Sequence, residues 1–191
     1  QLLYHTSGLR DYFSLIPENV TEQIHDDDVL SMMMEQTSTY FIPGSEYQYS
    51  NSGYAVLAMI VEQISGLSFA NFLSENIFIP LNMAGSIAFE EGISIVPSRA
   101  YGYSYSGDHY VMNDQSLTSA VLGDGGIYTS IDDLFKWDQG LYTNPILPQE
   151  VLQEAFTSGT LSNGVETGYG FGWVLDTYKN RTRAGHTGST R

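Results

Sequence analysis

Two polar triplets, each beside a patterned apolar stretch, constrain the fold of this chain more than any other feature. The first, Tyr-Ser-Asn at 49–51, precedes a stretch whose apolar residues recur at helical spacing. The second, His-Thr-Gly at 186–188, falls in a stretch whose pattern is typical of a β-strand. The chain is therefore predicted to be an α/β (α+β) protein, with a helical region at about 1–160 and antiparallel strands at about 168–190.

Local signals predict where the elements around these triplets begin and end. Asn51 or Ser52 is placed to cap the helix that follows the first triplet, and Gly66 is placed to end it. Strands are predicted at 169–176 and at 181–190. The Lys-Asn pair between these two strands predicts a tight turn.

Composition excludes several classes of partner and chemistry. The formal charge of −15, with only 7 Lys and Arg, argues against nucleic acid and anionic membranes as partners, because little could neutralise phosphates. The absence of cysteine excludes disulfides and thiolate catalysis, and the four histidines are too scattered to suggest a metal site. No apolar run is long enough for a membrane span. With 42% hydrophobic residues and no linker, residues 1–191 are interpreted as one partial domain.

The residues of the first triplet suit proton transfer and carbonyl binding. Tyr49 is a candidate proton shuttle, because a neighbouring cation that stabilises phenolate makes a phenol a usable base. Asn51 offers an amide N–H to a substrate carbonyl and an oxygen to a lysine. The alternative is a core tyrosine beside an asparagine that caps a helix, since this triplet alone is a weak signal.

The second triplet suits substrate binding along the edge of a strand. On an ideal strand His186 and Gly188 point to one face and Thr187 to the other. His186 and Thr187 could bind a substrate carboxylate, Gly188 leaves room for the substrate, and a following backbone N–H could face an oxyanion. The alternative is a strand that simply ends in a tight turn.

Further short runs accompany the two triplets in a fixed order. They read Leu-Tyr-His-Thr-Ser-Gly-Leu at 3–9, Phe-Ile-Pro-Gly at 41–44, Tyr-Ser-Asn-Ser-Gly-Tyr at 49–54, Ile-Pro-Leu-Asn-Met at 79–83, Gly-Gly-Ile-Tyr-Thr-Ser at 125–130 and Gly-His-Thr-Gly-Ser at 185–189. In this order the runs resemble the serine β-lactamase and penicillin-binding-protein superfamily, in particular its class C β-lactamase-related members. The resemblance covers nearly the whole chain and is far more specific than either triplet.

The resemblance implies a β-lactamase/transpeptidase-like fold, represented by its helical region and part of an antiparallel sheet and truncated at both ends. Through the family's Tyr-x-Asn and Lys/His-Thr-Gly motifs, it implies that Tyr49, Asn51 and His186 are catalytic residues. It places His5 among positions with a structural role. The residues that it implies for substrate binding are Asn51, His186, Thr187, Gly188 and Ser189, the last through its backbone N–H.

The chain departs from the family pattern in two ways. Its third motif begins with His in place of the Lys that is usual in class C β-lactamases. A His-Thr-Gly motif resembles that of D-alanyl-D-alanine peptidases and esterases, so efficient β-lactam hydrolysis is not expected. The family's Ser-x-x-Lys motif is missing, since the only lysines, Lys136 and Lys179, follow Asp133 and Asp176 at that spacing. The nucleophilic serine and its lysine are therefore expected upstream, and the chain alone is predicted to be inactive.

The resemblance implies a serine hydrolase that forms an acyl-enzyme on acyl-D-alanyl peptides, β-lactams or small esters and amides, without a cofactor or metal. It also implies an extracytoplasmic location, whether periplasmic, secreted or membrane-anchored. The alternative is a non-catalytic homologue or fragment that binds cell-wall peptides or a protein partner. Missing strands would leave unpaired sheet edges that invite association. The hydrolase interpretation requires Tyr49 and His186 to meet in one pocket.

Overall fold

The computed structural model describes residues 1–143 and 146–189 and has a mixed helical and antiparallel architecture. Its helices are α1 (Asp26–Met34), α2 (Asn51–Ser65), α3 (Phe69–Leu73), α4 (Leu122–Gly125), α5 (Ile131–Thr143) and α6 (Gln149–Ala155). A 3₁₀ turn at Tyr12–Ser14 precedes α1, and a π-helical turn at Ser74–Phe78 extends α3. Its strands are β1 (Ile87–Ala88), β2 (Tyr103–Ser106), β3 (His109–Met112), β4 (Ile127–Tyr128), β5 (Val174–Tyr178) and β6 (Arg181–Gly185). None of the helices in these ranges is by itself long and apolar enough to span a membrane, although α2 and Phe69–Phe78 together pass that test with a bend of 79°.

The strands of the described residues form two-stranded antiparallel sheets, in which β1 pairs with β4, β2 with β3 and β5 with β6. Lys179 and Asn180 join β5 to β6 with φ of 48° and 60°, so the predicted turn is confirmed. Both strands are shorter than predicted. β5 begins only after Gly168 and Gly172, whose left-handed φ of 71° and 76° interrupts an extended strand, and β6 ends at Gly185. The His-Thr-Gly triplet thus follows the strand, and the prediction that it lies on the strand is wrong.

Helix α2 carries the first triplet at its N-terminus. Its N-cap is Ser50, whose Oγ accepts a backbone N–H of the first turn at 3.4 Å, so the prediction of Asn51 or Ser52 is wrong by one or two residues. Ser52 is buried instead, and its hydroxyl accepts the N–H of Tyr12 at 2.8 Å. Gly66 ends the helix in the left-handed conformation with φ of 72°, as predicted.

Two apolar clusters hold these elements together. The first joins the 3₁₀ turn to α1, α2 and the residue before α4, and consists of Tyr12, Ile24, Val29, Ala55 and Val121. The second packs around α3 and β1, and consists of Leu73, Phe78, Leu81, Met83 and Ala88. Burying one large apolar side chain contributes roughly 1.5–3 kcal/mol. Because Tyr12 also bonds to Ser52, the first cluster fixes the N-terminal end of α2 and the triplet there.

Candidate active site

The first triplet is held in place by a turn near the start of the chain. His5 is only 1% exposed, and its Nδ1 accepts the backbone N–H of Ser50 at 3.1 Å. The carbonyl oxygen of His5 accepts the backbone N–H of Gln48 at 3.0 Å. The ring centroids of His5 and Tyr49 are 4.1 Å apart. The residues on either side of Tyr49 therefore both donate a backbone N–H to His5, and the ring of Tyr49 packs on the imidazole of His5.

The second triplet lies against the first. The ring centroids of Tyr49 and His186 are 5.9 Å apart, and the ring of Tyr169 is 6.3 Å from Tyr49 and 6.0 Å from His186. Asn51 and Ser189 border the same small cavity of about 60 Å³. Since residue 49 contacts residue 186 and residue 51 shares a cavity with residue 189, the two triplets lie next to each other. The structure thus brings together side chains that lie far apart in sequence.

The end of the second triplet opens onto a larger space. Gly188 and Ser189 border a cavity of about 410 Å³ that extends to Tyr101 and Asp114 beside the β2–β3 hairpin. Ser189 borders this cavity and the smaller one, so the two spaces meet at that residue. Thr187 is exposed and lies outside the linings of both cavities. Of the predicted substrate-binding residues, Asn51, Gly188 and Ser189 border these cavities, and His186 and Thr187 do not.

The orientation of Asn51 depends on a carboxylate that was not among the predicted site residues. Asp11 Oδ2 accepts the backbone N–H of Asn51 at 2.6 Å and the side-chain Nδ2–H of the same residue at 3.0 Å. Hydrogen bonds to a charged acceptor are about twice as strong as bonds between neutral groups. The amide of Asn51 is therefore fixed by Asp11 and oriented at the edge of the small cavity.

A family model described as Beta-lactamase matches residues 1–191, which is the whole chain. The chain belongs to the beta-lactamase family. Among curated relatives, Penicillin-binding protein 4* of Bacillus subtilis (strain 168) is 35% identical over 204 residues, which cover 98% of this chain and 45% of that protein. A D-aminopeptidase of Brucella canis is 29% identical over 214 residues, which cover 100% of this chain and 37% of that protein. The chain thus spans less than half of the length of these two relatives.

A solved structure of the same fold is D-amino acid amidase from Ochrobactrum anthropi SV3 in complex with L-phenylalanine amide. It matches with a TM-score of 0.79 at 24% identity, over 99% of this chain and 56% of that one. A similarity at this level of identity shows the fold alone. The predicted β-lactamase/transpeptidase-like architecture is therefore confirmed for the part of the fold that this chain represents.

In this member of the beta-lactamase family, an acid cluster lies beside the small cavity. Asp124 borders the cavity and accepts the hydroxyl of buried Tyr12 at 2.8 Å. Burial, followed by the charges of Asp26 and Asp11, raises the pKa of Asp124 from 3.8 to about 7, against the opposing effect of the Tyr12 bond. Asp26 accepts two backbone N–H groups at the start of α4, at 2.9 and 3.3 Å. The cavity is thus bordered by a carboxyl group that titrates near neutral pH.

Tyr49 is a neutral phenol in this environment. Burial is the main cause that raises the pKa of Tyr49, and the charges of Asp124 and Asp11 add to it. Both lysines of this beta-lactamase-family chain are engaged elsewhere: Lys136 forms an ion pair on α5 at 2.8 Å, and Lys179 lies over a tyrosine ring in the β5–β6 hairpin. Neither lysine lowers the pKa of Tyr49. Neither lysine of this chain is therefore placed to convert Tyr49 into a base.

Sequence reasoning missed three residues of this site: Asp11, Tyr12 and Asp124. Asp124 stands between glycines directly before the matched run at 125–130, and Asp11 closely follows the run at 3–9, so proximity to those runs was the available signal. Their partners could not be read from the sequence, because the bonds of Asp11 and Tyr12 join residues 40 and 112 positions apart.

Proposed function

We propose that this chain contributes one wall of a serine hydrolase active site, in a protein that forms an acyl-enzyme through a serine outside these 191 residues. The observation that carries the proposal is the contact between Tyr49 and His186, whose ring centroids are 5.9 Å apart. A lysine beside that serine would supply the positive charge that lowers the pKa of Tyr49. Residues 1–191 would then be a partial domain that further sheet strands complete.

The proposed reaction uses both triplets. The serine oxygen attacks the substrate carbonyl carbon while its proton passes to the Tyr49 phenolate. The carbonyl oxygen becomes an oxyanion, and the backbone N–H of Ser189 faces it. When the tetrahedral intermediate collapses, the bond to the leaving group breaks and that group takes the proton from Tyr49. Water then releases the acyl group by the same route, while Asn51 and the triplet at 186–188 hold the substrate.

The names of the relatives guide the choice of substrates. One curated relative is a D-aminopeptidase, and the solved structure described above is a D-amino acid amidase. We therefore propose acyl-D-alanyl peptides, small esters and amides, and β-lactams as the substrate class, with an extracytoplasmic location. Because the third motif begins with His186 in place of lysine, β-lactams are expected to acylate the enzyme more readily than they are hydrolysed.

Covalent labelling of the full-length protein tests this proposal. We expect a fluorescent penicillin or a fluorophosphonate to label it at a serine of a Ser-x-x-Lys motif. Tyr49→Phe removes the group that carries the proton, so the labelling rate is expected to fall at least about 100-fold. Tyr142→Phe, at an exposed position on α5, is the matched control and should label at the rate of the unmodified protein.

Three outcomes of labelling would count against the proposal. Failure of both probes on the full-length protein would favour the alternative function, a non-catalytic homologue that binds cell-wall peptides or a protein partner. A normal rate in Tyr49→Phe would remove Tyr49 from the proton route. The 191-residue chain alone is expected to remain unlabelled, and a labelled serine within it would contradict the placement of the nucleophile.

We also propose that the sheet edges of this chain take up further strands. Each sheet in the described residues has only two strands, so outer edges are left with backbone groups available for pairing. The isolated 191-residue chain is therefore expected to associate or to be poorly soluble. Sedimentation velocity measures the association directly. A soluble monomer with sharp cooperative melting would contradict the expectation.

A further inference from the structure

We propose that His5 is a positioning residue for Tyr49: it fixes the phenol against His186, beyond the structural role that the family resemblance implies. The inference rests on the proposed function, because it assigns His5 a part in the reaction that Tyr49 serves. It goes beyond that function, since His5 belongs to neither triplet and its side chain is buried.

Three contacts attach Tyr49 and its two chain neighbours to His5. The backbone N–H of Gln48, just before Tyr49, donates to the His5 carbonyl oxygen at 3.0 Å. The backbone N–H of Ser50, just after Tyr49, donates to His5 Nδ1 at 3.1 Å. The two rings pack with centroids 4.1 Å apart. His5 therefore fixes the backbone on both sides of Tyr49 through its carbonyl oxygen and its imidazole. The imidazole also fixes the ring of Tyr49.

The imidazole has a defined chemical form in this arrangement. Because Nδ1 accepts the N–H of Ser50, a neutral His5 must carry its proton on Nε2. Burial and then the nearby His186 lower the pKa of His5 to about 4, so the ring is neutral at physiological pH. Tyr47, Tyr54 and Tyr169 are the other titratable side chains whose rings surround it.

A packing role alone does not account for an imidazole here. His5 Nε2 is buried and has no hydrogen-bond partner within the described residues. A buried polar atom without a partner is destabilising, so this position carries a cost that an apolar ring would avoid. Its backbone also has a φ of 54°, a conformation that is rare outside glycine. Phenylalanine would fill the same space without a polar atom, and it would lack the acceptor for Ser50. The acceptor on Nδ1 is what the imidazole adds.

The position of Tyr49 between two imidazoles shows what His5 controls. The ring of Tyr49 lies 4.1 Å from the ring of buried His5 and 5.9 Å from the ring of exposed His186, with an interplanar angle of 38° in each case. Tyr49 is 41% exposed, so its neighbours do not enclose it completely. Without His5 the phenol could swing outward, away from the second triplet. A displacement of about 1 Å of a reacting group can lower a rate about 100-fold.

A double-mutant cycle in the full-length protein tests the inference. His5→Phe keeps a ring and removes the acceptor, and His5→Asn keeps an acceptor and removes the ring. We expect each to lower the acylation rate, His5→Phe by about 10- to 100-fold, while KM changes less than about 3-fold. In a Tyr49→Phe background, His5→Phe should cause no further loss, because its effect passes through Tyr49. His109→Phe, on exposed β3, is the control and should leave the rate unchanged.

The outcomes separate this inference from the proposed function. If no probe labels the full-length protein, the proposed function is wrong. NMR of tyrosine ¹³Cζ then still tests the inference, because it does not require turnover. In that spectrum His5→Asn should shift the Tyr49 resonance and lower the pKa of Tyr49 as the phenol becomes hydrated, and an unchanged resonance would overturn the inference. If the protein is labelled, a loss from His5→Phe that persists undiminished in the Tyr49→Phe background shows a general structural role and overturns it as well.

Discussion

At the scale of single residues, Asp11 links two parts of the site with one carboxylate. Its Oδ2 accepts both N–H groups of Asn51, and its Oδ1 accepts the N–H of Phe13 at 3.1 Å and so caps the 3₁₀ turn. That turn contains Tyr12, whose hydroxyl bonds to Asp124. The orientation of Asn51 and the position of Tyr12 therefore depend on the same side chain.

Replacing Asp11 should affect stability and activity together. Asp11→Ala leaves the N–H groups of Asn51 without their acceptor, so we expect a loss of about 1–3 kcal/mol in the free energy of unfolding. We expect the acylation rate of the full-length protein to fall as well, because Asn51 loses its orientation. Asp108→Ala is the control, since that side chain is 97% exposed, and should change stability by less than about 0.5 kcal/mol. Urea unfolding measures both variants, and equal stabilities would contradict the role of Asp11.

At the scale of elements, the site depends on the close approach of α4 to α2. A Cβ added to Gly123 on α4 would lie 2.5 Å from the carbonyl oxygen of Tyr54 and 2.6 Å from Cα of Ala55. Both of those atoms belong to the backbone of α2, which cannot move aside as a side chain can. Helix α4 therefore packs directly on the α2 backbone, and this contact places Asp124 beside the small cavity.

Two alanine substitutions on α4 separate close packing from helix propensity. Gly123→Ala should destabilise the protein by about 1–3 kcal/mol, because the added methyl forces α4 away from α2. Gly125→Ala is matched on the same helix, and a Cβ there meets no atom within 4 Å, so it should be neutral or slightly stabilising. Thermal melting of the two variants measures the difference. If both melt at the same temperature, the packing of α4 on α2 is looser than these distances indicate.

At the scale of the whole molecule, His5 and Asp124 give pH dependences of opposite sign. The pKa of His5 falls from 6.5 to about 4 on folding, so in that range the unfolded chain binds a proton that the folded protein does not. This term raises the free energy of unfolding as the pH rises from about 4 to 6.5. The pKa of Asp124 rises from 3.8 to about 7, so the folded protein holds the extra proton and stability falls as the pH rises through that range.

Single substitutions should reveal the two opposing terms. Each term has a limiting slope of about 1.4 kcal/mol per pH unit, and the two nearly cancel between about pH 4 and 6.5. We expect Asp124→Asn to gain stability relative to the unmodified protein as the pH rises toward 7. We expect His5→Phe to gain relative stability as the pH falls toward 4. Urea unfolding across this range measures both, and stability differences that do not vary with pH would contradict the assignment.

How much could be predicted from the sequence differs between elements. The end of α2 at Gly66 and the turn at 179–180 were predictable, because each depends on local backbone chemistry. The cap of α2 was assigned to Asn51 or Ser52, since three adjacent polar residues all suit that position. Only the long-range bonds of Asn51 to Asp11 and of Ser52 to Tyr12 leave Ser50 as the cap. Likewise the alternating pattern around 181–190 could not show that the strand ends at Gly185.

By itself the sequence determined the family, the mixed architecture and the two triplets, because these follow from local periodicity and from ordered short runs of residues. Only the tertiary structure decided that Tyr49 lies between His5 and His186, and that Asp11 orients Asn51. The physical reason is that hydrogen bonds, ring packing and burial act through space. Which distant residues meet, and what environment they make for one another, depends on how the whole chain packs.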